Sequence, residues 1–468
     1  MPLILPANTL SAAGYDVANS CRFNDDDSAY MYKSLGTPTS QRKFTFSCWF
    51  KPAVAASNNC TLISWGAGSD NEFASVVIQE GTGYYLQWYL NDTAGSSNGS
   101  GDKRTTMLFR DPSAWYNLVC ALDTEQDDGA DRQKFYVNGV RITSFTEETW
   151  IAEDYDVPAL ASGKTVEIGR RVTSGSYHMD GYMAEVCFVD GLQLAPTSFG
   201  EFNSDSPTIW QPIDVSGLTF GNNGFYLDFE DSSNLGNDVN GGTDLTESGL
   251  AAADQATDTP TNNFCTGNPI IHGGKLPTIS EGNCLFVSGG DWMHIPSTIG
   301  VANGKWYAEF KCVAKTGGQM MGVVDAGSIA GWGASPPLYV GNDALGHCYQ
   351  DNGNKQTGDT ATSYGATYTD GDIIGAALNA DDGEITFYKN NAVQASGTAI
   401  TLPTSTSSDG IWFWLPSVET GTIAANWGGC SAFAISSAAN DENGYGVFEY
   451  APPSDYLAMC TKNLATNG

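Results

Sequence analysis

The chain has 468 residues, with 21 Lys plus Arg against 53 Asp plus Glu and a formal net charge of −32. That balance excludes nucleic-acid binding, which needs clustered cations against phosphate, and it disfavours insertion into or binding to anionic membranes. It favours solubility and leaves many carboxylates that could hold a hard cation such as Ca²⁺.

The length allows two or three domains with sizeable cores. No apolar run reaches the roughly 18 residues of a transmembrane helix. The opening Met1-Pro2-Leu3-Ile4-Leu5-Pro6-Ala7-Asn8 lacks the basic region and apolar stretch of a secretion signal. Pro2 to Val17 is apolar, punctuated by Pro and Gly, and has no acid before Asp16. Residues 1–21 therefore read as an N-terminal arm that anchors the protein to a partner or to sister subunits, or else adds an edge strand to the first domain.

From there, period-2 patterns dominate, and no long 3.6-period helix is evident. Lys43 to Lys51, Ala74 to Gln79, Tyr84 to Leu90, Trp115 to Leu122 and Trp306 to Val313 are strand-like, separated by clusters of Gly, Asn, Asp and Ser. Many short strands without βαβ alternation predict an all-β chain built of antiparallel sandwiches. Trp306 and Phe387, both in such patterns, are expected in the core.

One feature occurs twice. Leu118 to Asp123, Asp127-Asp128-Gly129 and Lys134 to Gly139 match Ile374 to Asn379, Asp381-Asp382-Gly383 and Thr386 to Asn391. Each is a buried strand, an Asp/Gly turn, an aromatic strand and a second tight turn, with Asn138-Gly139 suited to type I′. Two copies suggest two related sandwiches. Between them, Asp231 to Asn268 is rich in Asn, Asp, Gly, Thr and Ala and poor in aromatics. The expected organisation is an arm (1–21), a first sandwich (22–225), a connector (226–268) and a second sandwich (269–468).

The eleven cysteines are an odd number, so at least one is free or paired between chains. None forms a Cys-x-x-Cys pair. Cys48, Cys120 and Cys187 fall inside strand-like runs and read as small buried hydrophobes of a chain folded under reducing conditions.

Several segments carry a resemblance. In the second half these are Gly304 to Phe310, Tyr364-Gly365-Ala366, Gly371 to Leu378, Glu384 to Asn390, Ala425-Asn426-Trp427-Gly428 and Ala451-Pro452-Pro453. In this order they resemble a SPRY (B30.2-like) domain, a β-sandwich used for binding, over about Pro269 to Asn463. In the first half, Phe44 to Lys51, Trp115 to Val119, Phe135 to Val140, Val166 to Gly169 and Gly181 to Val186 resemble the concanavalin A-like lectin/laminin-G superfamily over about Arg22 to Gln211. The pairing, joined by Phe225 to Asp231 and Asp258 to Phe264, resembles structural proteins of tailed bacteriophages. The resemblance implies a concanavalin A-like jelly roll followed by a SPRY-like sandwich. It implies a virion appendage, such as a head or tail fibre or a decoration protein, assembled in the host bacterial cytoplasm. Its partners would be other virion proteins and a host-surface glycan or protein, and a closed homo-oligomer, with a trimer the first guess, would fit.

The chain is expected not to be an enzyme. Glycoside hydrolysis needs two carboxylates facing one cleft, and no Glu-x-Asp-x-x-Glu string is present. Asp228 and Glu230 share a strand face but lack the third acid. His178, His272, His294 and His347 are scattered, and there is no nucleophile elbow, P-loop or Rossmann fingerprint. A polysaccharide depolymerase on the lectin-like fold is the alternative. For ligand binding, exposed aromatics are the candidates: Trp332 in a Gly-rich loop, and Tyr177, Tyr349 and Trp292 in similar settings. For Ca²⁺, Asp123, Glu125 and Asp127 place oxygens at alternating positions, although Asp128 stands where an EF-hand needs Gly; Asn24 to Asp27 is a second candidate, and a solvated acidic turn is the alternative for both.

Overall fold

The computed structural model describes residues 14–53, 59–67, 72–79, 83–90, 101–271, 275–332, 338–403 and 408–468. The chain divides into two compact units between Thr261 and Asn262.

The first unit is a sandwich of antiparallel sheets. In chain order its strands are β1 (Ser20–Phe23), β2 (Tyr30–Ser34), β3 (Lys43–Pro52), β4 (Cys60–Gly66), β5 (Phe73–Gln79), β6 (Tyr85–Leu90), β7 (Gly101–Leu108), β8 (Tyr116–Asp123) and β9 (Gln133–Val137). There follow β10 (Val140–Arg141), β11 (Phe145–Thr149), β12 (Thr165–Ile168), β13 (Gly181–Asp190), β14 (Gly200–Phe202), β15 (Trp210–Pro212), β16 (Phe225–Leu227), β17 (Thr246–Ser248) and β18 (Gln255–Ala256). One sheet runs β10-β9-β8-β3-β13-β1-β18, with β16 also on β13, and the other runs β11-β7-β6-β5-β4-β12-β2-β17. The alternation in β3 sends Phe44, Phe46, Cys48 and Phe50 into the core between the sheets, where Trp65 and Trp88 meet them from the second sheet. Ring centroids lie 5.1 Å apart for Phe44–Trp65 and 5.8 Å for Phe44–Trp88.

Residues 226–261 of the expected connector are part of this sandwich, and residues 262–268 belong to the second unit. β16 pairs with β13, β17 with β2, and β18 with β1. Asp258 meets Lys51 at 2.7 Å with both side chains 1% exposed, and Asp254 meets Arg22 at 2.8 Å. A stretch poor in aromatics holds on through carboxylates that neutralise cations buried on the sheet, an attachment that hydrophobic pattern does not register.

The arm is corrected in part. Residues 1–13 lie outside the described residues, but Tyr15 and Val17 pack with Trp49, Ala184 and Trp210 of the first unit. The Val17 amide donates to Thr261 Oγ1 at 3.0 Å. β1 itself lies between β13 and β18, so it is an interior strand.

In the second unit the strands are β19 (Thr278–Ser280), β20 (Leu285–His294), β21 (Lys305–Lys315), β22 (Gln319–Asp325), β23 (Gly346–Gln350), β24 (Asn354–Thr357) and β25 (Thr360–Ser363). They continue with β26 (Ile373–Asn379), β27 (Glu384–Lys389), β28 (Ala392–Val393), β29 (Ile400–Thr401), β30 (Trp412–Trp414), β31 (Ser417–Asn426) and β32 (Leu457–Ala458). The main path is β25-β24-β23-β22-β31-β21-β26-β27-β28, and the remaining strands pair onto it in one continuous sheet. β23 and β27 are distant along this path, yet the Tyr349 and Phe387 rings lie 5.6 Å apart. The sheet therefore folds back on itself around one core that also holds Trp306, Phe310, Trp414 and Trp427.

The repeated feature is the same device in both units. β8-β9-β10 flanks β3, and β26-β27-β28 flanks β21. The turns Asn138-Gly139 (φ 48° and 75°) and Asn390-Asn391 (φ 46° and 67°) take positive φ at both central residues, as a type I′ hairpin requires. All eleven cysteines are buried and none is in a disulfide.

Candidate functional site

Period 2 leaves one side of β5 and β6 facing away from the core. Ala74, Val76 and Ile78 point inward with Leu86, Trp88 and Leu90. The opposite positions, Phe73, Ser75, Val77 and Gln79 on β5 and Gln87 and Tyr89 on β6, line an open cleft of about 400 Å³ together with Arg104, Arg171 and Tyr177.

Its floor is a hydrogen-bonded row across three strands. Gln79 Nε2 donates to Gln87 Oε1 at 2.9 Å, and Gln87 Nε2 donates to both Asp102 oxygens at 2.9 and 3.1 Å. Arg104 reaches Asp102 at 2.9 Å and Glu147 at 2.7 Å. Gln87 is 8% exposed, so its amide is fixed by partners on both sides. One wall is the turn from Arg171 to Tyr177. The Arg171 amide donates to the Ser176 carbonyl at 3.1 Å, and the turn is tied to β4 by Val172 N to Ser64 Oγ (2.9 Å) and Thr61 N to Tyr177 O (3.0 Å). The Arg171 guanidinium lies 4.4 Å from the Phe73 ring centre and 5.4 Å from that of Tyr177. Such contacts attract a cation to the aromatic rings.

Of the aromatics expected to bind ligand, only Tyr177 reaches this cleft; it is 36% exposed. Tyr349 is 0% exposed, packed among Tyr364, Tyr368 and Phe387, with its hydroxyl donating to the Ala366 carbonyl. Trp332 is 6% exposed, its ring 4.7 Å from His294 and its Nε1 donating to Ser328 Oγ at 3.3 Å. Trp292 packs on Tyr339 at 4.9 Å. Tyr349 and Trp332 belong to the second unit's interior packing, while Trp292 is half-buried against it; none of the three lines this cleft.

The calcium expectation at Asp123, Glu125 and Asp127 is also corrected. Asp123 is buried, accepts from Glu125 N (3.0 Å) and Gln126 Nε2 (2.7 Å), and lies 3.6 Å from Lys43 Nζ. Glu125 pairs with Lys43 at 2.7 Å, and Asp127 is exposed. The turn is closed by side chain to backbone bonds and by a lysine, which leave no converging oxygens for an ion. Among the described residues, no group of three or more His, Cys, Asp or Glu is placed to hold a metal; this covers Asn24 to Asp27, where Asn24 Nδ2 donates to Asp27 at 2.9 Å.

Asp228 and Glu230 do have a third acid near them. Glu185 sits at a bulge in β13 with φ 52°. It accepts from Tyr226 Oη at 2.8 Å and Tyr15 Oη at 3.4 Å. Burial pushes its carboxyl up to about 8, with repulsion from Asp228 and Glu230 adding to the effect against the tyrosine hydrogen bonds. The side chain is 5% exposed, so it is an interior group capped by two phenols. The folded chain keeps this proton up to about pH 8, whereas the ordinary carboxyl releases it near 4.5. Its contribution to stability is therefore complete below pH 4.5 and is lost as pH rises toward 8. Glu185→Gln removes that dependence. Wild-type stability relative to the variant is expected to fall by up to about 1.4 kcal/mol per pH unit across this window. Urea denaturation at pH 5 and pH 8 checks it; an equal difference at both would show that the carboxyl is not held neutral.

Residues 25–192, all within the first unit, match the family model Laminin_G_3, described as the concanavalin A-like lectin/glucanases superfamily. Among solved structures the chain is similar to the SPRY domain of human HERC1, at 15% identity over 36% of this chain and 99% of that one, with a TM-score of 0.28. It is also similar to the native heptameric SAP-like pentraxin from Limulus polyphemus, at 18% identity over 39% of this chain and 80% of that one, TM-score 0.28. Stonustoxin is a third, at 16% identity over 35% of this chain and 27% of that one, TM-score 0.26. No curated protein matches the chain in sequence. The cleft lies on a concanavalin A-like sandwich, and that lectin-like fold supports a carbohydrate- or protein-binding role.

Proposed function

We propose that the chain is a non-enzymatic appendage of a tailed-phage virion that binds a host-surface glycan through the cleft on β5, β6 and β7. The observation that carries the binding role is the cleft's composition: among the described residues, aromatic rings, two amides and two guanidinium groups line it, and no carboxylate does. Rings offer apolar faces to sugar C–H groups, and the fixed amides offer hydrogen bonds to hydroxyls. Hydrolysis would need two carboxylates across the bound sugar, whereas Asp102 lies beneath Gln87 and Arg104 as their acceptor. The acidic chain and its buried thiols accord with assembly in a reducing cytoplasm into a particle.

Incubation with host surface polysaccharide is expected to retain the protein without generating reducing ends. New reducing ends would establish the depolymerase reading instead. Labelled antibody against the chain should decorate purified virions, and failure to do so would refute the appendage. Tyr177→Ala is expected to weaken glycan binding about tenfold, on the order of one ring contact. Its unfolding midpoint should not move, because Tyr177 is exposed and lies outside the core. Titration calorimetry with parallel thermal melts measures both.

A further inference from the structure

The arginines of the first unit are mostly answered by acids. Arg22 faces Asp254, Arg104 faces Asp102 and Glu147, Arg132 faces Glu153, and Arg170 faces Glu167. Arg171 differs from its neighbour Arg170. It makes no ion pair among the described residues; its buried Nε lacks a hydrogen-bond partner, as do those of Arg22 and Arg104. The contacts that hold its guanidinium are the faces of Phe73 and Tyr177, at the cleft wall. In a chain of net charge −32, an acid partner is statistically easy to find. A guanidinium without one among the described residues, packed on aromatic rings beside an open cleft, presents a planar fork of donors to whatever enters. An anionic group entering the cleft would supply the countercharge that this guanidinium lacks among the described residues.

We infer that the cleft selects an anionic saccharide, one whose sugar ring carries a carboxylate or sulfate that seats on the Arg171 guanidinium. The inference rests on the reading of this cleft as a glycan site and adds the chemical class of the glycan. Phe73 is buried and supports the cation, while the exposed part of Tyr177 and the half-buried Tyr89 are the rings left to receive the sugar; Gln79 and Gln87 face its hydroxyls. The chain's overall negative field repels densely charged polyanions, so the favoured ligand has its acids spaced by neutral rings.

The test uses the full chain and three sets of oligosaccharides matched in length: uronate-containing, the same sugars with the carboxyls reduced to alcohols, and sulfated. Calorimetric titration of the wild type should show at least one acidic set binding tenfold or more tighter than the neutral set. Which acidic set wins identifies carboxylate or sulfate as the anchor. Arg171→Gln should erase the difference. Equal binding of neutral and acidic sets by the wild type would overturn the inference, as would an Arg171→Gln variant that keeps the preference. If that variant does not fold, the wild-type comparison alone decides. Neutral sugars that bind equally well and are lost in Tyr177→Ala would leave the cleft a glycan site and remove only the acidic preference. Failure of every set to bind would remove both.

Discussion

Asp258→Asn is expected to destabilise the first unit by about 3–5 kcal/mol, the usual loss when one member of a buried ion pair is removed. Lys51 Nζ is 2.7 Å from Asp258 Oδ2, and the Trp115 indole donates to the other oxygen at 3.0 Å. Both charged side chains are 1% exposed. An amide in place of the carboxylate keeps the shape but leaves the ammonium without its countercharge where water cannot reach it. The double change Lys51→Met, Asp258→Leu should recover most of the loss, because apolar replacement of both partners removes the desolvation cost together with the attraction. Urea denaturation of the wild type, both single variants and the double variant gives the complete cycle. A loss below about 1 kcal/mol for Asp258→Asn would show that the pair is solvated.

Trp306→Ala is expected to cost the second unit about 3–5 kcal/mol, the range for a large aromatic cut from a core. Trp306 is 0% exposed, its Nε1 donates to the Asn303 carbonyl at 2.7 Å, and its backbone sits opposite Leu378 on β26 and Leu457 on β32. Truncation would leave a cavity of indole size bounded by paired strands, which are poorly able to collapse into it. Phe387→Ala, also at a 0% exposed position, should fall in the same range. A denaturation shift under about 1 kcal/mol for either would mean that its side chain is not in the core.

These residues also mark what the sequence makes legible. Trp306, Phe387 and the β3 run announce themselves by alternation, because one strand face is apolar and the other polar. The paired hairpins are legible through their Asp/Gly and Asn turns, whose backbone needs are local. Tyr349 is not legible as a core residue because β23, Gly346–Gln350, is buried along its whole length; a strand covered on both faces carries no alternation to show which way a ring points. The attachment of residues 226–261 to the first sandwich is hidden for a different reason. Its anchors, Asp254 and Asp258, find Arg22 and Lys51 across 232 and 207 positions, and no local pattern encodes a partner that far away. The cleft lay between these cases. The strands carrying Ser75, Gln79, Gln87 and Tyr89 were evident, and their outward amides and rings, where charged residues are the common choice, were the available signal. Arg171 carried none, since its meaning lies in the acid it lacks.

The position of β1 between β13 and β18 has a consequence for biosynthesis. A ribosome releases the chain from its N-terminus, yet β1 cannot complete its pairing until residues near 256 have emerged. Lys51 likewise waits for Asp258. Through most of translation the first sandwich would lack its edge strand β18 and the countercharge of a buried cation. Its closing step would come late and all at once, set by contacts that span most of the unit. A nascent chain stalled before Asp258 should therefore remain protease-sensitive as a whole, and one released beyond Thr261 should not.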